Sequence, residues 1–110
     1  PVPGLRLLAS GPLPPRPADL LGSQRMERVL ERLTAEADMV LLDAPPLMTV
    51  TDAVVLATKV DGVLLVVSAG TTKREHAQRA VERLRKVNAH LVGSVLNNAP
   101  VDATLHGYYR

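Results

Sequence analysis

The sequence predicts an α/β fold, in the form of a partial doubly wound parallel sheet with about four strands and three helices. Two continuous apolar runs, residues 39–42 and 63–67, lack the alternation of a half-exposed strand, which is typical of parallel strands buried on both faces. Segments with helical spacing of apolar residues alternate with the predicted strands, and this order favours a parallel sheet covered by helices. Because four strands are few for such a sheet, we expect the chain to be part of a larger fold.

The amino-terminal third is predicted to contain a strand, an extended connection and a helix. Six of the nine prolines lie within residues 1–17 and flank a short apolar stretch at residues 5–9, which we predict to be a strand. The proline-rich connection up to Pro17 cannot donate regularly to a ladder, so we expect it to be extended on the surface. Ser23 can cap the helix that follows. The apolar residues of this helix recur on one face: Met26, Val29, Leu30, Leu33 and Ala37.

The rest of the chain is predicted to continue this alternation. The second strand ends at Asp43, a short helix follows over about residues 51–57, and the third strand covers residues 63–67. A Gly-Thr-Thr sequence at residues 70–72 is expected to open the longest helix, and residues 91–97 are predicted to form the last strand. The buried stripe of the longest helix is predicted to consist of Ala77, Ala80, Val81, Leu84 and Val87.

The composition excludes several classes of protein. The absence of Cys excludes a disulfide scaffold, a thiolate metal site and a cysteine nucleophile. A formal net charge of +2 and only two Tyr provide neither the basic surface nor the stacking platform of a nucleic-acid-binding protein. No apolar run approaches the roughly 20 residues of a membrane span. We therefore expect a soluble, intracellular domain whose core is built from Leu, Val and Ala, because hydrophobic residues make up 46% of the chain and aromatic residues 2%.

Asp43 is the candidate catalytic and metal-binding residue. Ligands of open parallel sheets bind at the carboxyl ends of the strands, and Asp43 follows four apolar residues at such an end. A carboxylate held there can accept hydrogen bonds from water on a magnesium ion beside a nucleoside triphosphate, which is the Walker B arrangement. An ordinary alternative is that a strand-terminal Asp only stabilises a turn or caps a helix. The pattern alone leaves both interpretations open.

The sequence lacks the phosphate-binding loop that a Walker B residue serves. No segment has the form G-x-x-x-x-G-K-[ST], and residues 70–73 lack the glycines whose amides would hold a phosphate group. We therefore expect that ATP does not bind tightly to this chain alone. Three histidines without metal-ligand spacing are expected on the surface: His76, His90 and His106. Both tyrosines, Tyr108 and Tyr109, lie in a glycine-containing tail where the active site of another protein could reach them.

Three blocks of the sequence together resemble one family. They are GLRLLASGPLPPRPADLLGSQRM at residues 4–26, VLLDAPPLMTVTDAVVLATKVDGVLLVVSAGTT at residues 40–72, and VGSVLNN at residues 92–98. In this order and without large gaps, they resemble the bacterial tyrosine kinases of capsule and exopolysaccharide synthesis, which are similar to the deviant-Walker ATPases. The resemblance covers the chain from Gly4 to about Asn98.

The resemblance implies a P-loop NTPase-like kinase domain that uses ATP and Mg²⁺ to phosphorylate tyrosines in its own carboxyl-terminal cluster, usually on another kinase subunit. By position, Asp43 matches the Walker B aspartate, and Asn97 lies where the last strand approaches the adenine side of the nucleotide. Tyr108 and Tyr109 lie where the cluster of phosphate acceptors would begin.

The resemblance also implies a cellular role. Such a domain works beside, or fused to, a membrane protein called a polysaccharide co-polymerase, and it regulates exopolysaccharide, capsule or lipopolysaccharide synthesis and chain length. The implied location is therefore cytoplasmic, at the inner face of the bacterial cell membrane.

The chain departs from the family because it lacks the Walker A loop and a second, aspartate-rich motif, both of which precede the matched region. We therefore expect residues 1–98 to be the carboxyl-terminal half of a kinase domain, inactive by itself, and residues 99–110 to be a flexible tail. Two alternatives remain: a non-catalytic module that docks on a membrane polysaccharide co-polymerase, and a fragment of a partition-type ATPase. The proline-rich sequence at residues 9–21 favours the kinase over the partition-type ATPase.

Overall fold

A computed structural model describes residues 2–101 of the chain. These residues form four helices and two strands, in the order α1 (Pro17–Leu21), α2 (Gln24–Glu36), α3 (Asp52–Ala57), β1 (Val63–Ser68), α4 (Arg74–Lys86) and β2 (Leu91–Asn97). None of these helices has the length and apolar character needed to cross a bilayer.

The two strands form a parallel sheet, and α4 is the crossover between them. β1 pairs with β2 from Val63 opposite Leu91 to Ser68 opposite Asn97. Backbone bonds extend the ladder at both ends, because Val63 N donates to His90 O at 2.8 Å and Ala69 N donates to Asn97 O at 2.8 Å. The predicted α/β class with a parallel sheet is thereby confirmed.

The structure differs from the expected four strands because two of the predicted strands have no ladder. Residues 5–9 and 39–42 take up no regular strand structure and pair with no other segment of residues 2–101. A strand needs a neighbour to bond its amides and carbonyls, whatever its own composition. Residues 39–42 are also not buried on both faces, since Met39 is 76% exposed and Leu41 82% exposed.

The helices agree with the local sequence signals, with one addition. Ser23 caps α2 as predicted, because its Oγ accepts a hydrogen bond from Met26 N at 3.3 Å. The additional helix, α1, begins at Pro17, where the sequence predicted an extended connection. Proline is well suited to the first helical position, because it lacks the N–H that would have no partner there.

The core lies where α3 packs on α4, and it is small. Within residues 2–101, the buried apolar side chains are Ala53, Leu56 and Ala57 of α3 and Ala80 and Leu84 of α4. Leu84 is only 1% exposed and is the most deeply buried of them. Ala80 and Leu84 belong to the stripe predicted for this helix, which begins at Arg74 rather than at the Gly-Thr-Thr sequence. It was predicted to be the longest helix, but at 13 residues it only equals α2 in length.

Candidate functional site

Asp43 lies in solvent at the end of the apolar segment 39–42. Its side chain is exposed, and it makes no ion pair and no side-chain hydrogen bond with any other residue of the described part of the chain. The carboxylate is therefore not committed to a turn or a helix cap, which was the ordinary alternative for this residue. It is available to a ligand at this edge of the molecule.

The loop that follows Asp43 is held by two hydrogen bonds. Thr49 N donates to Pro46 O at 3.0 Å and closes a turn within the loop. Arg83 of α4 donates from Nη1 to Leu47 O at 2.9 Å and attaches the same loop to the helix. The backbone between Asp43 and this attachment includes two prolines, whose rings fix φ near −65°.

A polar turn follows β1 at the carboxyl edge of the sheet. Thr72 Oγ1 accepts a hydrogen bond from Ser68 N at 2.9 Å, and Thr72 N donates to Ser68 O at 2.9 Å. Gly70 lies within this turn at a φ of +73°, a conformation that residues with a Cβ rarely adopt. The turn thus depends on a glycine and on a threonine hydroxyl, which explains the Gly-Thr-Thr sequence without a phosphate ligand.

The two adjacent asparagines at the end of β2 have different environments. Asn97 is exposed at the end of the strand opposite Ser68, and its backbone oxygen belongs to the ladder. Asn98 has a left-handed φ of +55° and donates from Nδ2 to Ser68 Oγ at 3.0 Å. The link between Asn98 and Ser68 could not be predicted from the sequence, in which the adjacent pair of asparagines is the sole signal for it.

A cleft of about 300 Å³ separates the loop after Asp43 from the turn after β1. One wall is the loop at residues 46–49, the floor is formed by residues 65–67 of β1, and the other wall is formed by the turn after β1 and the start of α4. That second wall contributes Thr71, Thr72, His76, Ala77 and Ala80. The cleft is therefore apolar at its base, with three threonine hydroxyl groups and one imidazole among its remaining lining side chains.

The described residues fit part of a magnesium–nucleotide site. Mg²⁺ is commonly held by one or two protein carboxylates together with waters and phosphate oxygens, and the exposed Asp43 can supply one such carboxylate. Residues 2–101 contain no group of three or more acidic or histidine side chains arranged around a metal position. They also contain no glycine-rich loop with a lysine that would hold the phosphates. Asp43 could thus serve a metal ion only beside a phosphate-binding loop supplied from elsewhere.

The remaining predicted site residues can be placed as follows. His76 lines the cleft from an exposed position, and His90 Nδ1 lies 3.0 Å from Asp61 O at the start of the ladder. Both histidines are on the surface, as expected. Tyr108 and Tyr109 lie outside the described residues, as does His106.

The chain is similar to proteins named as tyrosine-protein kinases. It is 40% identical over 106 residues to the tyrosine-protein kinase YwqD of Bacillus subtilis, an alignment that covers 96% of this chain and 45% of YwqD. It is 34% identical over 108 residues to the putative tyrosine-protein kinase CapB of Staphylococcus aureus, covering 98% of this chain and 47% of CapB. No family model matches the sequence.

The fold is similar to a solved kinase domain. The crystal structure of the VpsO kinase domain superimposes with a TM-score of 0.78 and 29% sequence identity, covering 84% of this chain and 46% of that domain. The chain thus spans less than half the length of each protein that it matches here. The resemblance that the three sequence blocks carried is confirmed, and it applies to part of a kinase domain.

Proposed function

Because this chain is homologous to part of the kinase domain of bacterial tyrosine kinases, we propose that it is the carboxyl-terminal half of such a domain. The complete domain is an ATP-dependent protein-tyrosine kinase, and Asp43 is its Walker B carboxylate. The observation that carries this proposal is that Asp43 is exposed and makes no side-chain bond to residues 2–101, at the end of an apolar segment that has no ladder there.

Asp43 has one task in this proposal. Its carboxylate would accept hydrogen bonds from water on a magnesium ion and would so hold the ion beside the terminal phosphate of ATP. The chemistry supplied there would be neutralisation of charge on the phosphate oxygens during phosphoryl transfer. Asn97, exposed at the end of β2, would face the adenine base, and Tyr108 and Tyr109 would accept the phosphoryl group from another kinase subunit.

The exposed apolar face of the sheet supports the proposal that this chain is half of a domain. Parallel sheets in α/β proteins normally have both faces covered. Here Leu64 of β1 is 58% exposed and Val66 is 59% exposed, and Val95, which pairs with Val66, is exposed beside them. Within residues 2–101 β1 pairs with β2 alone, so its other edge can accept a further strand. The missing half would supply strands on that side, together with the phosphate-binding loop.

The remaining parts of the proposal concern the whole protein. The kinase regulates the synthesis and chain length of a capsule, exopolysaccharide or lipopolysaccharide, acting with a membrane polysaccharide co-polymerase at the inner face of the cell membrane. ATP and Mg²⁺ bind to the complete domain, and this chain alone binds neither tightly. The names of the relatives favour this function over that of a partition-type ATPase.

The experiment compares two aspartates at opposite ends of one segment, in the protein that joins this chain to the rest of the domain. Asp38 is exposed like Asp43 and precedes the same apolar residues, so Asp38→Asn is the matched control. We expect Asp43→Asn to lower kcat for Mg²⁺·ATP-dependent tyrosine phosphorylation by roughly two orders of magnitude, because charge stabilisation by the metal is worth several kcal/mol. Asp38→Asn should stay within about twofold of the unsubstituted protein.

Two results would contradict the proposal in different ways. Equal activity of Asp43→Asn and Asp38→Asn would remove Asp43 from the role of metal carboxylate. An unsubstituted protein that transfers no phosphate to tyrosine, yet binds a membrane polysaccharide co-polymerase, would favour the non-catalytic docking module instead.

A further inference from the structure

Within residues 2–101, one side-chain hydrogen bond joins the segment that carries Asp43 to another part of the molecule. Residues 38–50 have no strand ladder, and their own turn joins only Thr49 to Pro46. Among residues 2–101, Arg83 is the single side chain outside this segment that donates a hydrogen bond to it. The bond joins Arg83 Nη1 to Leu47 O at 2.9 Å, across 36 positions of sequence.

The donor side of this bond is well fixed. Arg83 lies on a helix of 13 residues, directly before Leu84, which is 1% exposed. Ala80, one turn earlier on α4, is also buried. Burial of these neighbours fixes the backbone of Arg83, and the planar guanidinium loses little further freedom when it forms a hydrogen bond. A hydrogen bond from a charged donor is also stronger than one between neutral groups.

The position of the acceptor, Leu47 O, restricts the position of Asp43 through the backbone that joins them. Leu47 is four residues beyond Asp43, and two of the three residues between them are prolines. Each proline fixes its own φ and restricts the residue before it to extended conformations. The linker from Leu47 back to Asp43 is therefore short and stiff, so that a constraint at Leu47 also constrains the carboxylate.

The hydrogen bond from Arg83 restrains the loop across the cleft. Leu47 lines one wall, and α4 contributes Ala77 and Ala80 to the opposite wall. The bond from Arg83 thus joins the two walls and limits how far the loop can move from β1.

We propose that Arg83 is a positioning residue, which sets the width of this cleft and thereby the position of the Asp43 carboxylate. The proposal deepens the proposed function and rests on it for the role of Asp43. The effect of Arg83 on the loop itself does not depend on that role and can be measured separately.

The first test measures the loop, in the complete protein, by hydrogen exchange of the Thr49 amide. This amide donates to Pro46 O inside the loop and reports whether the loop stays in place. Arg83→Met keeps most of the length of the side chain and removes the donor. We expect Thr49 to exchange roughly tenfold faster in this variant, in line with the loss of a charged hydrogen bond. Arg83→Lys should restore part of the protection, because the shorter-reaching ammonium group can still donate a charged hydrogen bond to Leu47 O.

The second test measures catalysis as a function of Mg²⁺ concentration. Arg83→Met should raise the Mg²⁺ concentration for half-maximal activity roughly tenfold and lower kcat, while the KM for the tyrosine substrate stays unchanged. Arg83→Lys should lie between this variant and the unsubstituted protein. Arg79→Met is the matched control, because Arg79 is exposed one turn earlier on α4 and makes no side-chain bond to residues 2–101.

The outcomes separate this inference from the proposed function. Thr49 exchange at the unsubstituted rate in Arg83→Met, or equal Mg²⁺ dependence of Arg83→Met and Arg79→Met, would overturn the role of Arg83. Absence of kinase activity in the unsubstituted protein would instead count against the proposed function. In that case faster Thr49 exchange would still support the attachment of the loop by Arg83.

Discussion

The βαβ unit from Val63 to Asn97 and the segment from Asp38 to Val50 contain similar apolar runs but differ in secondary structure and burial. Both contain short runs of Val and Leu that the sequence predicts to be buried strands. The runs of the βαβ unit pair with each other and bury the stripe of α4, whereas the earlier run has no ladder and exposes Met39 and Leu41. An apolar run thus becomes a strand only where a second run can reach its edge.

Because the two regions are packed differently, replacing one leucine in each of them should change the free energy of unfolding by different amounts. Leu84→Ala removes a side chain that is 1% exposed, and we expect it to lower the free energy of unfolding by about 2–5 kcal/mol. Leu41→Ala removes an exposed side chain and should change that free energy by less than about 0.5 kcal/mol. Urea unfolding followed by far-ultraviolet circular dichroism measures both, since the chain has no Trp. An equal decrease in the free energy of unfolding for both variants would mean that residues 39–42 are packed as tightly as α4.

The unpaired edge of β1 can be tested by placing a charge on this strand. Because β1 can still accept a strand, we expect this chain to self-associate at concentrations of tens of micromolar. Val66→Lys puts a charge on the exposed face of β1 and should weaken the association roughly tenfold, as lysine does on natural edge strands.

Sedimentation velocity distinguishes the monomer from the self-associated chain, and Val101→Lys is the control. Val101 is exposed but lies outside both strands, so its variant should associate like the unsubstituted chain. A monomer at all concentrations, melting above roughly 60 °C, would indicate that the fold is complete without further strands.

The features that could be predicted from the sequence are those set by near neighbours. The cap at Ser23 and the stripe through Leu84 follow from spacings of three to four residues. The cap is confirmed, and Ala80 and Leu84 of the stripe are buried, whereas its other three residues are half-buried. Helix α1 was missed because a proline-rich stretch gives the same signal for an extended connection and for a first helical turn.

The features that could not be predicted join distant positions. The bond from Arg83 to Leu47 spans 36 residues, and that from Asn98 to Ser68 spans 30. Arg83 is an exposed arginine on a charged helix, so nothing in the local pattern distinguishes it from Arg79. Asp43 could be singled out from the sequence because its neighbours are apolar, but the way its loop is held depends on packing between elements. The role of Asp43 itself stays a prediction.

Helix α2 in the amino-terminal region is stabilised by a hydrogen bond of its own, the side-chain cap at Ser23. Removing this cap should change the free energy of unfolding less than replacing Leu84. Ser23→Ala removes the side-chain acceptor for Met26 N and should lower the free energy of unfolding by about 1 kcal/mol, measured by the same urea titration. Thr51→Ala is the matched control, because Thr51 occupies the N-cap of α3 without a side-chain bond and should cost less than about 0.5 kcal/mol. If both variants lost the same stability, the side-chain cap of α2 would contribute nothing specific. If only Ser23→Ala loses stability, α2 is stabilised by a local hydrogen bond that needs no other element. The run at residues 39–42, in contrast, has no ladder because ladder bonds require a partner strand.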